Sequence, residues 1–184
     1  QQVVLKDYSY LLTCSIGYAI AQPNETIEQV FKKASIALLK AKQVRNSIIQ
    51  YNDEFSNKIT KEIKLEEDLH YALERNQLEL YYQPIYNVST GRIDKAEALL
   101  RWNHPEYGIV SPIDFIPIAE RTRLILPITD WIIHQACRTL AEWDHNEYPL
   151  TLSINISFIT INNRGEELYN LLKRELIATG INPD

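Results

Sequence analysis

Apolar residues along this chain change spacing from every second position to every third or fourth and back, and each change marks an element. From Tyr10 to Ile20, the residues Leu12, Cys14, Ile16, Tyr18 and Ile20 alternate with Thr13, Ser15, Gly17 and Ala19, the period of a strand. Pro23-Asn24-Glu25 breaks the run, and Thr26 with Gln29 makes a capping box. The helix it opens carries Ile27, Val30, Phe31, Ala34, Leu38 and Ala41 on one stripe. Ser47 to Tyr51 reads as a short strand, so the first fifty residues are strand, helix, strand. Residues 53–75 then read as a helix whose stripe changes side. Phe55, Ile59 and Ile63 lie on one line, Leu65, Leu69 and Leu73 on another. Two residues advance a helix by roughly 200° at about 3.6 per turn, so the lines face nearly opposite ways. A linker helix is expected, its first half packed on the elements before it and its second half on those after it. Its charged residues Lys58, Lys61, Glu62, Lys64, Glu66, Glu67 and Asp68 are expected on the wet face.

Beyond it, strands are expected at Leu78 to Asn87 and Ile93 to Trp102, joined by Val88-Ser89-Thr90-Gly91-Arg92. So short a link containing Gly favours an antiparallel hairpin. A turn centred near Thr90 sets Gln83 across from Glu97, subject to a slip of one residue. Helices are expected at Pro112 to Ala119, Thr129 to Trp143 and Glu166 to Ala178, with a strand at Leu150 to Ser157. Strands alternating with helices from residue 93 onward favour a parallel α/β barrel or an open sheet, with too few strands for either to close.

Two strands have a face that ordinary packing does not explain. Between Lys95 and Trp102, the residues Ala96, Ala98, Leu100 and Trp102 form an apolar face, while Lys95, Glu97, Leu99 and Arg101 share the other. In Leu150 to Ser157, the residues Leu150, Leu152, Ile154 and Ile156 oppose Thr151, Ser153, Asn155 and Ser157. Asn155, near a strand's C-terminal end, sits where barrels and open α/β sheets place ligands. With Glu97 it offers two hard oxygen donors, suited to Mg2+ or Mn2+ rather than zinc. Structural hydrogen bonding by the same two residues is the alternative.

Composition changes this picture little. The 184 residues are 45% hydrophobic with a formal charge of −5, a globular chain without the basic footprint of a DNA- or RNA-binding protein. Cys14 and Cys137 stand in unrelated contexts and are expected as reduced core residues of a cytoplasmic protein. His70, His104, His134 and His145 share no ligand spacing, which argues against zinc. With no Met and an ending at Asn182-Pro183-Asp184, the chain is expected to be a segment of a longer protein.

Several motifs in order give the segment from Leu65 to Asp184 a resemblance to the EAL family, which hydrolyses or binds the second messenger cyclic di-GMP. They are Tyr82-Gln-Pro-Ile85, Glu97-Ala-Leu-Leu-Arg-Trp102, His104-Pro105, Ser111-Pro112, Phe115-Ile-Pro-Ile-Ala-Glu120, Trp131 and Ser153-Ile-Asn-Ile-Ser157. The resemblance implies a truncated TIM-barrel-like domain. It implies that Glu97 is catalytic and, with Asn155, a ligand of Mg2+ or Mn2+. It further implies that Arg101 grips a phosphate, that Gln83 contacts the ligand, and that Leu99 walls a guanine. Asp130 matches an acid reaching a guanine edge, a helix cap being its other reading. The reaction implied is metal-assisted hydrolysis to linear pGpG, with a further Glu, an Asp-Asp pair and a Lys falling beyond Asp184 in family order. On that ordering the segment alone holds part of the site. A catalytically inactive cyclic di-GMP receptor is the alternative, and a scaffold binding no nucleotide a third. Thr160 departs from the family, which has Gln there.

Ser15-Ile-Gly17 and Ala34 through Asn46 resemble the end of a GGDEF domain, an α+β nucleotidyl-cyclase-like fold commonly set ahead of EAL. The family's Ala-Asp is Ala34-Ser35 here, its Tyr is Leu39, and its Lys-x-x-Gly-Arg-Asn ending is Lys42-Gln-Val-Arg-Asn46, one residue short and without Gly. A degenerate cyclase end is the expectation. The implied division is 1–52 GGDEF-like, 53–64 linker helix and 65–184 the N-terminal part of the EAL domain. The partners implied are cyclic di-GMP, a neighbouring GGDEF or sensor domain (the latter able to anchor the parent protein in a membrane) and a second copy in a homodimer.

Overall fold

The computed structural model describes residues 2–5, 8–11, 13–145 and 150–181. Expectations resting on Leu12, on residues 182–184 and on the side chains of Phe55 and His145 lie outside these. The chain divides into two compact units, residues 1–64 and 65–184.

In the first unit, β1 (Gln2–Leu5) and β2 (Tyr8–Leu11) form an antiparallel pair. β3 (Ile16–Tyr18) and β4 (Ile48–Gln50) pair in parallel across helix α1 (Ile27–Val44). The single strand expected from Tyr10 to Ile20 is therefore two. Its halves bond to different partners, and Thr13 to Ser15 between them belong to neither. The capping box forms as expected: Gln29 N donates to Thr26 Oγ1 and Thr26 N to Gln29 Oε1. The buried face of α1, however, is Ala37 and Ala41, while Ile27 and Phe31 are exposed. Small residues win that face because β3 lies close: a Cβ on Gly17 would stand 1.9 Å from Leu38 N. Cys14 is exposed rather than a core residue, and Cys137 is buried.

Helix α2 (Asp53–Leu69) crosses the division. Its last turns carry Leu65 and Leu69 into the core of the second unit, while Ile63 on the earlier stripe is half exposed. That core is completed by Ala72, β5 (Leu78–Asn87), β6 (Arg92–His104), β7 (Gly108–Val110), α3 (Pro112–Thr122) and α4 (Ile125–His145). Trp102 and Phe115 meet edge to face at its centre, both fully buried. Helix α4 begins four residues before the expected Thr129. Pro127 falls in its first turn, where a missing N–H costs no hydrogen bond. A smaller cluster joins α4 to α5 (Phe158–Thr179) through Ile133, Cys137 and Leu168. Helix α5 starts well before the expected Glu166 and carries a kink at Arg164.

The sheet of the second unit is mixed. β5 and β7 run antiparallel to β6, and β8 (Thr151–Ile154) runs parallel to it. β7 was not anticipated, and it extends β6 two residues past the expected Trp102. Gln83 lies directly opposite Glu97, and an irregularity between Ile85 and Tyr86 absorbs the offset between that register and the turn.

Candidate functional site

β6 alternates as its sequence requires: Ala96, Ala98, Leu100 and Trp102 are buried, and Glu97, Leu99 and Arg101 are partly open on the other face. What makes a site of that face is a gap beside it. β8 pairs with β6 over residues 95–98 and β7 over 102–104, leaving residues 99–101 without a strand on that edge. The chain leaves β8 at this point, running through Asn155 and Ile156 to Ser157, the N-cap of α5. The C-terminal end of a parallel strand thus opens onto the gap, the usual place for a ligand in α/β sheets.

A cavity of about 250 Å3 occupies it, lined by Leu99 and Arg101 of β6, Ile116 and Glu120 of α3, Thr129 of α4, and Asn155 and Ser157 among others. Asn155 Nδ2 donates to Glu97 Oε1 at 2.6 Å, joining residues 58 apart in the chain. Ser157 Oγ donates to Glu120 Oε1 and accepts from Ile159 N at 3.3 Å. One hydroxyl therefore both caps α5 and ties α3 to the strand end that carries Asn155. Glu120 and Ser157 had no assigned role in the sequence. Ser157 comes two positions after Asn155 in the polar register of its strand, but nothing local reports a contact across 37 residues. Thr160 is wholly buried and lies 3.3 Å, Oγ1 to Oγ1, from the cavity-lining Thr129.

Arg101 donates from Nη1 to Leu100 O at 3.0 Å, and its guanidinium lies 5.4 Å from the centre of the Tyr81 ring. Among the described residues no carboxylate pairs with it. Asp130 is placed differently. It sits within α4 rather than at a helix start, and its carboxylate pairs with Arg164 of α5. It is not among the residues lining the cavity. Behind the sheet, the Tyr82 hydroxyl donates to Thr139 Oγ1 at 2.9 Å, and burial pushes its phenol up from the ordinary value. Burial likewise pushes up the Cys137 thiol.

As a cation site, Glu97 and Asn155 fit by chemistry: a carboxylate and an amide that carries its own oxygen, in contact and partly open, are hard donors of the kind Mg2+ takes. They supply two ligands. No group of three or more His, Cys, Asp or Glu able to hold a metal occurs among the described residues. No described helix is long and apolar enough to cross a membrane.

A family model for the EAL domain matches residues 66–184. The bifunctional diguanylate cyclase/cyclic di-GMP phosphodiesterase MucR of Pseudomonas aeruginosa is 32% identical over 175 residues, 94% of this chain and 25% of that protein. The cyclic di-GMP phosphodiesterase NbdA of the same organism is 36% identical over 143 residues, 76% of this chain and 18% of that protein. Among solved structures, the MucR phosphodiesterase in complex with c-di-GMP superposes with a TM-score of 0.61 at 36% identity, covering 65% of this chain and 48% of that one. The EAL enzyme Bd1971 in its cGMP-bound form gives 0.58 at 30%, covering 85% and 44%. The chain thus spans a quarter or less of these curated relatives and under half of these solved chains. With most of its length matched by that model, the chain belongs to the EAL domain family.

Proposed function

We propose that the protein hydrolyses cyclic di-GMP to linear pGpG through this domain, with Mg2+ or Mn2+ held by Glu97 and Asn155. The 2.6 Å contact between those two side chains, beside an arginine that no described carboxylate neutralises, supports the reading most. Relatives named as cyclic di-GMP phosphodiesterases, and a structural neighbour bound to c-di-GMP, support the same ligand.

In this reading Arg101 grips a phosphate, a task for which a planar fork of fixed charge is suited. Leu99 walls a guanine, and Gln83, opposite Glu97, contacts the ligand. Asp130 would reach a guanine edge only by giving up its pair with Arg164. A bound divalent ion supplies polarisation of the phosphodiester and a more acidic water. The chain's own part is to orient the phosphate and to keep the Glu97 and Asn155 side chains adjacent.

For the rest of the chain, residues 1–52 are taken as the end of a degenerate GGDEF-like domain, 53–64 as a linker helix and 65–184 as the first part of a barrel. The parallel β3–α1–β4 unit supports the first. So does the end of α1. Arg45 (φ 62°, ψ 152°) and Asn46 (φ 41°) take left-handed backbone where the resembled motif carries Gly. A neighbouring GGDEF or sensor domain and a homodimer are the proposed partners, in the cytoplasm.

Whole protein incubated with Mn2+ and cyclic di-GMP should yield pGpG. Glu97→Gln should cut the rate at least about a hundredfold, since losing even an outer-shell partner costs metal sites ten- to a hundredfold. Turnover retained by that variant would sink the metal assignment. Tight binding by the unaltered protein with no pGpG would leave the receptor reading standing in its place.

A further inference from the structure

We propose that Tyr81 is a positioning residue for Arg101, holding its guanidinium flat and aimed at the phosphate of the bound nucleotide; the inference rests on the cyclic di-GMP reading above. Tyr81 pairs with Leu99 in the β5–β6 register, and Glu79 pairs with Arg101, so the ring and the guanidinium are diagonal neighbours on one face of the sheet. The guanidinium carbon stands 5.4 Å from the ring centre, within the range of a cation–π contact.

An arginine with a long, flexible stem needs something to hold it if its fork is to meet a phosphate in one orientation. The usual holder is a carboxylate, but that neutralises the charge and occupies the donors. Glu79, the nearest acid by register, is committed elsewhere: Asn103 Nδ2 donates to its Oε1. Arg101 spends one donor on the carbonyl of Leu100, and its guanidinium carbon lies over the Tyr81 ring. A ring leaves the in-plane N–H groups unspent, which is the state a phosphate-binding fork requires. Tyr81 is 45% exposed, so its ring contributes little to the core and is free to act on the site face.

The test is a double-mutant cycle on cyclic di-GMP affinity in the whole protein. Tyr81→Leu should weaken binding roughly three- to tenfold, the span of a partly exposed cation–π contact. Tyr81→Phe, which keeps the ring, should bind within about twofold of the unaltered protein. In an Arg101→Ala background, Tyr81→Leu should have no further effect. Equal affinity of Tyr81→Leu and the unaltered protein, or an undiminished loss in the Arg101→Ala background, would overturn the assignment. A parallel melting curve for Tyr81→Leu should match the unaltered protein, and a collapsed curve would make the residue structural and overturn it as well. Failure of the unaltered protein to bind cyclic di-GMP is a different result: it overturns the functional reading, and this inference with it.

Discussion

His104 shows how much a single buried polar residue organises. It is 3% exposed, stacked against Tyr107 and edge-on to Trp102. Its Nδ1 accepts from the backbone N–H groups of Glu106 and Tyr107 at 3.1 and 3.2 Å, which leaves the proton on Nε2 for Asp68 Oδ2 at 3.0 Å. Every polar atom of the ring is thus used, closing the turn after β6 and fastening the last turn of α2 to it. Asp68, expected on the wet face of a linker helix, is instead the acceptor for a core residue. His104→Ala removes the shared acceptor of two part-buried backbone N–H groups, at about 1–3 kcal/mol for a group left unpaired. It also takes one partner from Asp68, which Arg75 still approaches at 3.8 Å. A loss of about 3 kcal/mol in urea unfolding of the second unit is expected. An unchanged midpoint would mean water replaces the ring without cost.

Among elements, β6 and α1 mark the reach of pattern reading. The two faces of β6 were legible residue by residue, because alternation comes from strand geometry alone and Trp102 demands cover wherever it lies. For α1 the capping box was legible and the buried face only in part. The apolar stripe included Ala41, which is buried, but also Ile27 and Phe31, which are exposed, and it missed Ala37, where close approach at Gly17 selects a small side chain. The end of α1 carries its own strain: Arg45 sits at φ 62° and ψ 152°, a region almost reserved for glycine. Arg45→Gly should therefore raise the stability of the first unit by about 1 kcal/mol in chemical denaturation. Loss of stability on that change would show that the Arg45 side chain contributes more than its backbone costs.

At the scale of the whole molecule, the chain forms two compact units whose division falls within α2. Gly17→Ala should disrupt the first, because a methyl 1.9 Å from Leu38 N forces β3 and α1 apart. Hydrogen exchange should then speed up across Ile27–Val44 while amides of Leu78–Asn87 keep their protection; faster exchange in both places would mean the units unfold as one. For the candidate site, the sequence by itself determined which residues share a strand face, where the capped helix starts, and the motif order behind the EAL resemblance. These are local properties, carried by spacing and by one residue's neighbours. Only the tertiary structure decided that β8 lies along β6, that a gap opens beside Leu99 to Arg101, and that Asn155 meets Glu97 while Asp130 is held by Arg164. The reason is physical. Alternation and capping depend on backbone geometry over a few residues, whereas contacts between residues 34 and 58 positions apart depend on which surfaces the folded core brings together.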